Sequence, residues 1–555
     1  MKRVIVTVYQ NLKHEDEISK FSDLNIQKYW DKLIENKKKY AERCDADFKL
    51  CHNTKPDYDF TEINLYKHKL MADLAEDYDE VMYVDMDVIF NTNENIFESI
   101  DLNKGIAIKD QDDEIYTKDK SDFLIKTFGK RNPTLKYYIT KDLLNDKDNH
   151  VINTGIMIGK SEHILQLKFY ERLSDIRKNI NELKEKVYDR DHIFYIRGFY
   201  YPNNESIFSY ILEKYNVPYQ LLSDEWHDIR DRMSVKDKPY GKIVHAINKV
   251  FYPFFEEKKI AVYSLYVKIE DDRLDEPGTF PNDSLNKSKR TQIEMDKYRD
   301  QLIKNKQDYC NKIGADFFFY ENDTKYQEFT KDYSDLSEYD IVNLYKIYLL
   351  DQLVKDYDYV MYLDFDVYCY KCVNPFHFLD CDNYLHCYYS TKEFLEINNT
   401  SKYFSSYNKN FRSPHTKYWN AYALLDMEDL DGENDVYNTG IIMASKNTMS
   451  QLKYFDDMHE VIENMKELKE FSIYPPKIQK QFGYDNETIF AYKVKKNNVP
   501  TICLSDQWHY RHSPEIHSDR SVPYEIRKNI FEAKILESNP ILIHFISKQF
   551  DLVFE

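Results

Sequence analysis

Two pairs of aspartates are the residues of this sequence with the plainest chemical potential: Asp85 and Asp87 in VMYVDMDV (81–88), and Asp364 and Asp366 in VMYLDFDV (360–367). On an extended backbone alternate side chains share a face, so the spacing predicts that both carboxylates of a pair point to one side. Two carboxylates so close repel unless a cation lies between them or one is protonated. A hard divalent ion that favours oxygen ligands, Mn²⁺ or Mg²⁺, suits such a pair. A single D-x-D is equally at home in a solvated turn at a strand end. Its recurrence inside a longer string of shared motifs points to chemistry.

That string is extensive. LYKHKLMADLAEDYDEVMYVDMDV (65–88) matches LYKIYLLDQLVKDYDYVMYLDFDV (344–367) at 14 of 24 positions without a gap. VINTGIMI (151–158) is answered by VYNTGIIM (436–443), NNESIFSY (203–210) by DNETIFAY (485–492), LLSDEWH (221–227) by CLSDQWH (503–509), and IVHAINK (243–249) by LIHFISK (542–548). NKKKYAERCDADF (36–48) has a counterpart in NKQDYCNKIGADF (305–317). A period of about 270–300 residues exceeds the roughly 20–50 of solenoid repeats. The chain reads as a duplicated domain, 1–258 and 259–555, each half opening on a buried-type strand.

The elements around the aspartates follow from pattern. LYKHKLMADLAED has the apolar spacing of an amphipathic helix, and VMYV is apolar on both faces, as a central strand covered on each side would be. Strands and helices alternate through each half, which predicts an α/β fold with a mostly parallel sheet, and ligands of such sheets bind beyond the carboxyl ends of the strands. The aspartates lie at such an end.

Composition narrows the partners. The formal charge is −19, and affinity for a phosphate backbone comes largely from Lys and Arg, so general nucleic-acid binding is not expected. There is no signal-peptide core at the amino terminus and no run of about 18 apolar residues, so no transmembrane segment is expected. The eight cysteines are then expected to be reduced thiols in a cytoplasm. Scarce glycine, 11 residues in 555 against a usual ~7%, fits an AT-rich microbial or viral gene; the setting is then a microbial cytoplasm, or a host's. Cys369 and Cys372, with Cys381 and Cys387, depart from the paired C-x-x-C spacing of zinc sites and have no equivalent in the first half. They read as small buried side chains beside a strand.

The order Lys, apolar helix, hhhhDxDhhh, NTG and a late His followed by Lys resembles the retaining glycosyltransferases of GT-A fold, in particular the glycogenin-like and bacterial lipopolysaccharide galactosyl- and glucosyltransferase-like members. The resemblance spans most of each half and implies two tandem, Rossmann-like GT-A domains. It implies one Mn²⁺ (or Mg²⁺) per domain, held by Asp85, Asp87 and His245 and by Asp364, Asp366 and His544, against the diphosphate of a nucleotide sugar, by family habit a UDP-hexose. It places nucleotide contacts at Lys67 and Lys346 and the sugar site at Asn153 and Gly155 and at Asn438 and Gly440. Diphosphate contacts fall at Lys249 and Lys548, although HAINK and HFISK space His and Lys by four where the family uses six. The family's Asp-Gln pair stands here as Asn204-Glu205 and Asn486-Glu487; each glutamate could stabilise a cationic sugar, orient the acceptor hydroxyl or take its proton.

The implied activity is hexosyl transfer, with retention and in successive steps, to a glycan, lipid, protein or modified-base acceptor. The intervals from Trp226 to His245 (19 residues) and from Trp508 to His544 (36 residues) suggest different acceptor sides. The two Trp-His pairs themselves are assigned to packing or to acceptor lining. Three other readings fit parts of the pattern: one active and one scaffold domain, a haloacid dehalogenase-like phosphatase with the first aspartate of VDMDV and LDFDV as nucleophile, and a binding module that turns nothing over.

Overall fold

The computed structural model describes residues 1–9, 24–52, 60–111, 133–147, 149–185, 200–230, 240–269, 287–391, 414–471, 486–512, 522–546 and 548–555. The chain divides into two compact units, Met1–Phe255 and Glu256–Glu555.

Unit 1 is built on a six-stranded sheet of order β2-β1-β3-β6-β5-β7. Its strands are β1 (Arg3–Tyr9), β2 (Asp47–His52), β3 (Glu80–Val84), β5 (Ile106–Asp110), β6 (Ile152–Lys160) and β7 (Tyr219–Leu221). Five run parallel and β6 runs against them. A small second sheet joins β4 (Val88–Phe90), β9 (Ile243–Ala246) and β8 (Asp228–Arg230). Unit 2 repeats the plan. Its large sheet, which includes β11 (Asp316–Tyr320) and β16 (Thr501–Cys503), is β11-β10-β12-β15-β14-β16, and its small one β13-β18-β17. The strands that matter below are β10 (Ile260–Leu265), β12 (Tyr359–Leu363), β13 (Val367–Cys369), β14 (Leu385–Ser390), β15 (Val436–Ser445), β17 (Tyr510–Arg511) and β18 (Leu542–His544). The mostly parallel α/β architecture expected from the alternating pattern is what the chain adopts.

The antiparallel strand positions the site. Because β6 and β15 run against the rest, their first residues, which carry NTG, lie at the edge where β3 and β12 end in aspartate. Asp85 N–H donates to Gly155 O at 2.8 Å, and Asp364 N–H to Gly440 O at 2.7 Å. Val81–Val84 are at most 3% exposed, consistent with helices on both faces.

The helices that bear on the site are α1 (Trp30–Arg43), α2 (Phe60–Ala75), α3 (Pro133–Leu143) and α4 (Asn204–Lys214) in unit 1. Their counterparts are α5 (Arg299–Ile313), α6 (Glu338–Leu353), α7 (Pro414–Asp426) and α8 (Asn486–Lys496). Helix α1 buries Leu33, Ile34, Lys37, Tyr40 and Ala41, an amphipathic stripe interrupted by a lysine. Helix α5 buries Leu302, Lys306, Tyr309, Cys310 and Ile313 in the same pattern. The longer interval between Trp508 and His544 holds a further helix, α9 (Tyr524–Ser538). No helix among the described residues is long and apolar enough to cross a membrane.

Candidate functional site

The aspartate pair does not sit on extended backbone. Strand β3 ends at Val84, and Val88 N–H donates to Asp85 O at 3.1 Å, closing a tight turn over Asp85–Val88; Val367 N–H does the same to Asp364 O at 2.9 Å. The expectation of a continuing strand fails because β4 and β13 belong to the small sheet, so the chain must swing out of the large one within three residues. A buried lysine braces the turn. Lys37 Nζ donates to Met86 O and Val88 O at 2.8 and 2.6 Å, and Lys306 Nζ to Phe365 O and Val367 O at 2.9 and 2.7 Å.

The carboxylates converge nonetheless. Val88 on β4 pairs with His245 on β9, and Val367 with His544, so the small sheet delivers each histidine to the turn. His245 Nε2 lies 3.7 Å from Asp85 Oδ2 and 3.4 Å from Asp87 Oδ1. His544 Nε2 repeats both distances to Asp364 and Asp366. In each triad the candidate ligand atoms all lie within 4.8 Å of one another, close to the span across a divalent ion with bonds of about 2.0–2.6 Å. Two carboxylates and one imidazole suit Mn²⁺ or Mg²⁺. Neither triad contains a cysteine; Cys369, Cys381 and Cys387 are buried, as a reading as packed side chains requires, whereas Cys372 is only half-buried.

The other residues singled out from sequence surround these triads. Lys249 and Lys548 form ion pairs with Asp87 and Asp366 from a left-handed backbone, φ 57° and 56°, a conformation rare for a side chain of this size. Burial alone would raise the Asp87 and Asp366 carboxyls, but the lysine and the histidine outweigh it and hold both well below the usual carboxylate range. Lys67 and Lys346 are buried, 3.6 and 3.7 Å from the outer aspartates Asp85 and Asp364. Lys67 also donates to Thr154 O at 3.1 Å. The hydroxyls of Tyr83 and Tyr362 donate to Asp85 and Asp364 at 2.7 and 2.6 Å.

The NTG loop shows why glycine stands there. A Cβ on Gly155 would fall 2.1 Å from His245 Cε1, and one on Gly440 2.4 Å from His544 Cε1. Asn153 Oδ1 and Asn438 Oδ1 accept from the glycine N–H at 2.9 and 3.1 Å. Helices α4 and α8 grip the threonine between them. Asn204 and Asn486 Nδ2 donate to Thr154 and Thr439 Oγ1 at 2.7 and 2.9 Å, while the threonine N–H groups donate to Glu205 and Glu487 Oε1 at 3.1 and 2.8 Å.

Three sets of residues make contacts that the sequence did not reveal. Lys136 on α3 forms a buried ion pair with Glu205, and Lys417 on α7 a part-buried one with Glu487. Desolvation would raise these carboxyls, but the lysines prevail and lower them. His227 and His509, assigned to packing or acceptor lining, instead set their Nε2 atoms 3.2 and 3.0 Å from Nδ1 of His245 and His544. Trp226 and Trp508 are buried packing residues. Lys37 and Lys306 are the third set. A signal existed for each: P-x-x-K-Y-aromatic occurs at 133–138 and at 414–419, the W-H pair occurs twice, and a lysine sits on the apolar stripe of α1 and again of α5.

No protein-family model matches the chain, and no curated protein sequence does. Among solved structures it is similar to a glycosyltransferase involved in glycosylation of the major capsid of PBCV-1: 13% identity, 44% of this chain and 93% of that one, TM-score 0.25. It is similar to the apo WbbM bifunctional glycosyltransferase at 12% identity over 98% of this chain and 94% of that one, TM-score 0.28. Mouse xyloside xylosyltransferase 1 matches at 10% identity over 44% and 98%, TM-score 0.27. At such identities and TM-scores, function is read from the two triads themselves.

Proposed function

We propose that this protein is a metal-dependent glycosyltransferase with two working sites, transferring hexoses from nucleotide sugars, UDP-linked by resemblance, to an acceptor. The observation that carries the reading is the recurrence of one arrangement in both units: an Asp-Asp-His triad beside a lysine and a glycine loop gripped by an Asn-Glu pair. A divalent ion held by Asp85, Asp87 and His245, or by Asp364, Asp366 and His544, would act as a Lewis acid and stabilise the charge that grows on the departing diphosphate.

The chain's own residues supply the rest. Lys249 and Lys548, ion-paired to Asp87 and Asp366, would offer ammonium donors to that diphosphate. Lys37 and Lys306 fix the aspartate turn, and the NTG backbone fixes the histidine. Glu205 and Glu487 are poor proton acceptors, because each is held ionised by a lysine and spends one oxygen on a threonine N–H. Of the three roles open to them, orienting the acceptor hydroxyl fits best, with the acceptor proton leaving to another group. Retention and successive transfer belong to the same proposal, as does an acceptor that is a glycan, lipid, protein or modified base. The phosphatase alternative leaves the histidine and the NTG loop without a task, although both close on the aspartates.

The test is release of nucleoside diphosphate from a panel of nucleotide sugars with and without Mn²⁺, on wild type, Asp87→Ala, Asp366→Ala and the double variant. Metal-dependent release that each single variant lowers in part and the double variant abolishes supports two working sites. Release unaffected by metal and by all three variants would overturn the reading.

A further inference from the structure

The two triads are alike, but the sheet edges beside them differ. Arg511 on β17 is the ladder partner of His544 on β18. Partnered residues project to one face of a sheet, so its guanidinium shares the face of the triad histidine. It lies over Tyr388, with Cζ 3.7 Å from the ring centroid, and Nη2 donates to the tyrosine hydroxyl at 2.6 Å. Tyr388 is in turn the ladder partner of Asn438 of the NTG motif. The Arg511–Tyr388 pair therefore links β14, the neighbour of the glycine-loop strand, to β17, the neighbour of the histidine strand. Arg511 Nε is buried and has no hydrogen-bond partner among the described residues.

The matching positions of unit 1 are chemically opposite. Ile229, buried, is the ladder partner of His245. Lys109 is the partner of Asn153, and its ammonium is closed by Asp224 at 2.5 Å. One edge carries a half-buried guanidinium whose Nε is unpartnered among the described residues; the other carries an apolar side chain and a neutralised ion pair.

Resting on the glycosyl-transfer reading above, we infer that the two units take different donors. The second selects a sugar that carries a carboxylate, through Arg511 and Tyr388, and the first takes a neutral sugar. A guanidinium fork matches a carboxylate in two parallel hydrogen bonds. The Tyr388 hydroxyl, which accepts from Arg511, keeps its own proton to donate to the same group.

Calorimetric titration of the full chain in Mn²⁺ tests this with UDP, UDP-glucose and UDP-glucuronate. Asp87→Ala leaves the second triad intact and Asp366→Ala the first. The Asp87→Ala chain is expected to bind UDP-glucuronate at least tenfold more tightly than UDP-glucose. Adding Arg511→Gln should bring the two within about twofold while UDP affinity holds, and Arg511→Lys, which keeps charge without the fork, should retain part of the preference. The Asp366→Ala chain is expected to show no preference for the acidic sugar. The inference is overturned if both chains rank the sugars alike. It is also overturned if Arg511→Gln weakens UDP as much as UDP-glucuronate, which would make Arg511 a diphosphate contact. UDP binding without sugar preference refutes only this selectivity; absence of UDP binding by every form refutes the transferase reading and the inference with it.

Discussion

His227 Nε2 stands 3.2 Å from His245 Nδ1, and His509 Nε2 stands 3.0 Å from His544 Nδ1. Each triad histidine turns its other nitrogen to the aspartates; with a metal ion on that Nε2 its proton would sit on Nδ1, and the second histidine would receive it. Such a partner fixes tautomer and ring orientation and typically contributes 10–100-fold to metal affinity. His227→Phe is therefore expected to weaken Mn²⁺ binding at the first triad by about that factor, while His227→Gln, which offers an acceptor oxygen, recovers part of it. Manganese titration followed by electron paramagnetic resonance reads both; equal affinity in His227→Phe and wild type would refute the role.

The glycine loops predict a second effect. Alanine at 155 or 440 puts a methyl group inside the volume of the histidine ring. Gly155→Ala should abolish metal binding at the first triad and leave the second intact, with Gly440→Ala doing the reverse. Circular dichroism unchanged alongside a halved manganese stoichiometry is the expected result. Full stoichiometry in either variant would show that the ring is free to move away.

The buried lysines predict a pH dependence. Burial lowers Lys37 to about 7 and Lys306 to about 8 from 10.5, with the aspartates opposing in part. In the unfolded chain a lysine keeps its proton to about pH 10.4. Between those values the unfolded state binds more protons, so the stability contributed by Lys37 rises as pH rises from about 7 and is lowest below it. With chelator present, the melting temperature of wild type should gain on that of Lys37→Met between pH 7 and pH 9. A constant difference would show that Lys37 is not desolvated as described.

Lys136 and Lys417 each neutralise a glutamate, and removing one partner of a buried pair typically costs about 3–5 kcal/mol. Lys136→Met is expected to destabilise unit 1 on that scale, and Lys136→Met with Glu205→Gln to recover most of the loss. Urea unfolding of the single and double variants measures the coupling. Additive losses would mean that the two side chains do not act as a pair.

What the sequence revealed depended on whether a residue repeats and on how it makes its contact. The aspartates, NTG and late histidines were legible because each is a short string that occurs twice, and the strand before the aspartates was legible from VMYV alone. The turn at Asp85–Val88 was not, since the switch from one sheet to another depends on the pairing of Val88 with His245, 157 positions away. His227 looked like the neighbour of a packing tryptophan because its role lies in one hydrogen bond across the fold. Lys37 looked like part of a charged helix, although its place on the apolar stripe between Leu33 and Tyr40 marked it as buried. Lys136 pairs with a glutamate on another helix, and only the recurrence of P-x-x-K-Y could have pointed there.

The most direct measurement is the stoichiometry of UDP binding in the presence of Mn²⁺. Calorimetry should give two sites per chain in wild type, one in Asp87→Ala, one in Asp366→Ala and none in the double variant, with binding lost in every case on chelation. A chain that binds UDP equally with and without metal, or whose stoichiometry is unchanged when both aspartates are replaced, would contradict the assignment of the two triads as metal-dependent nucleotide-sugar sites.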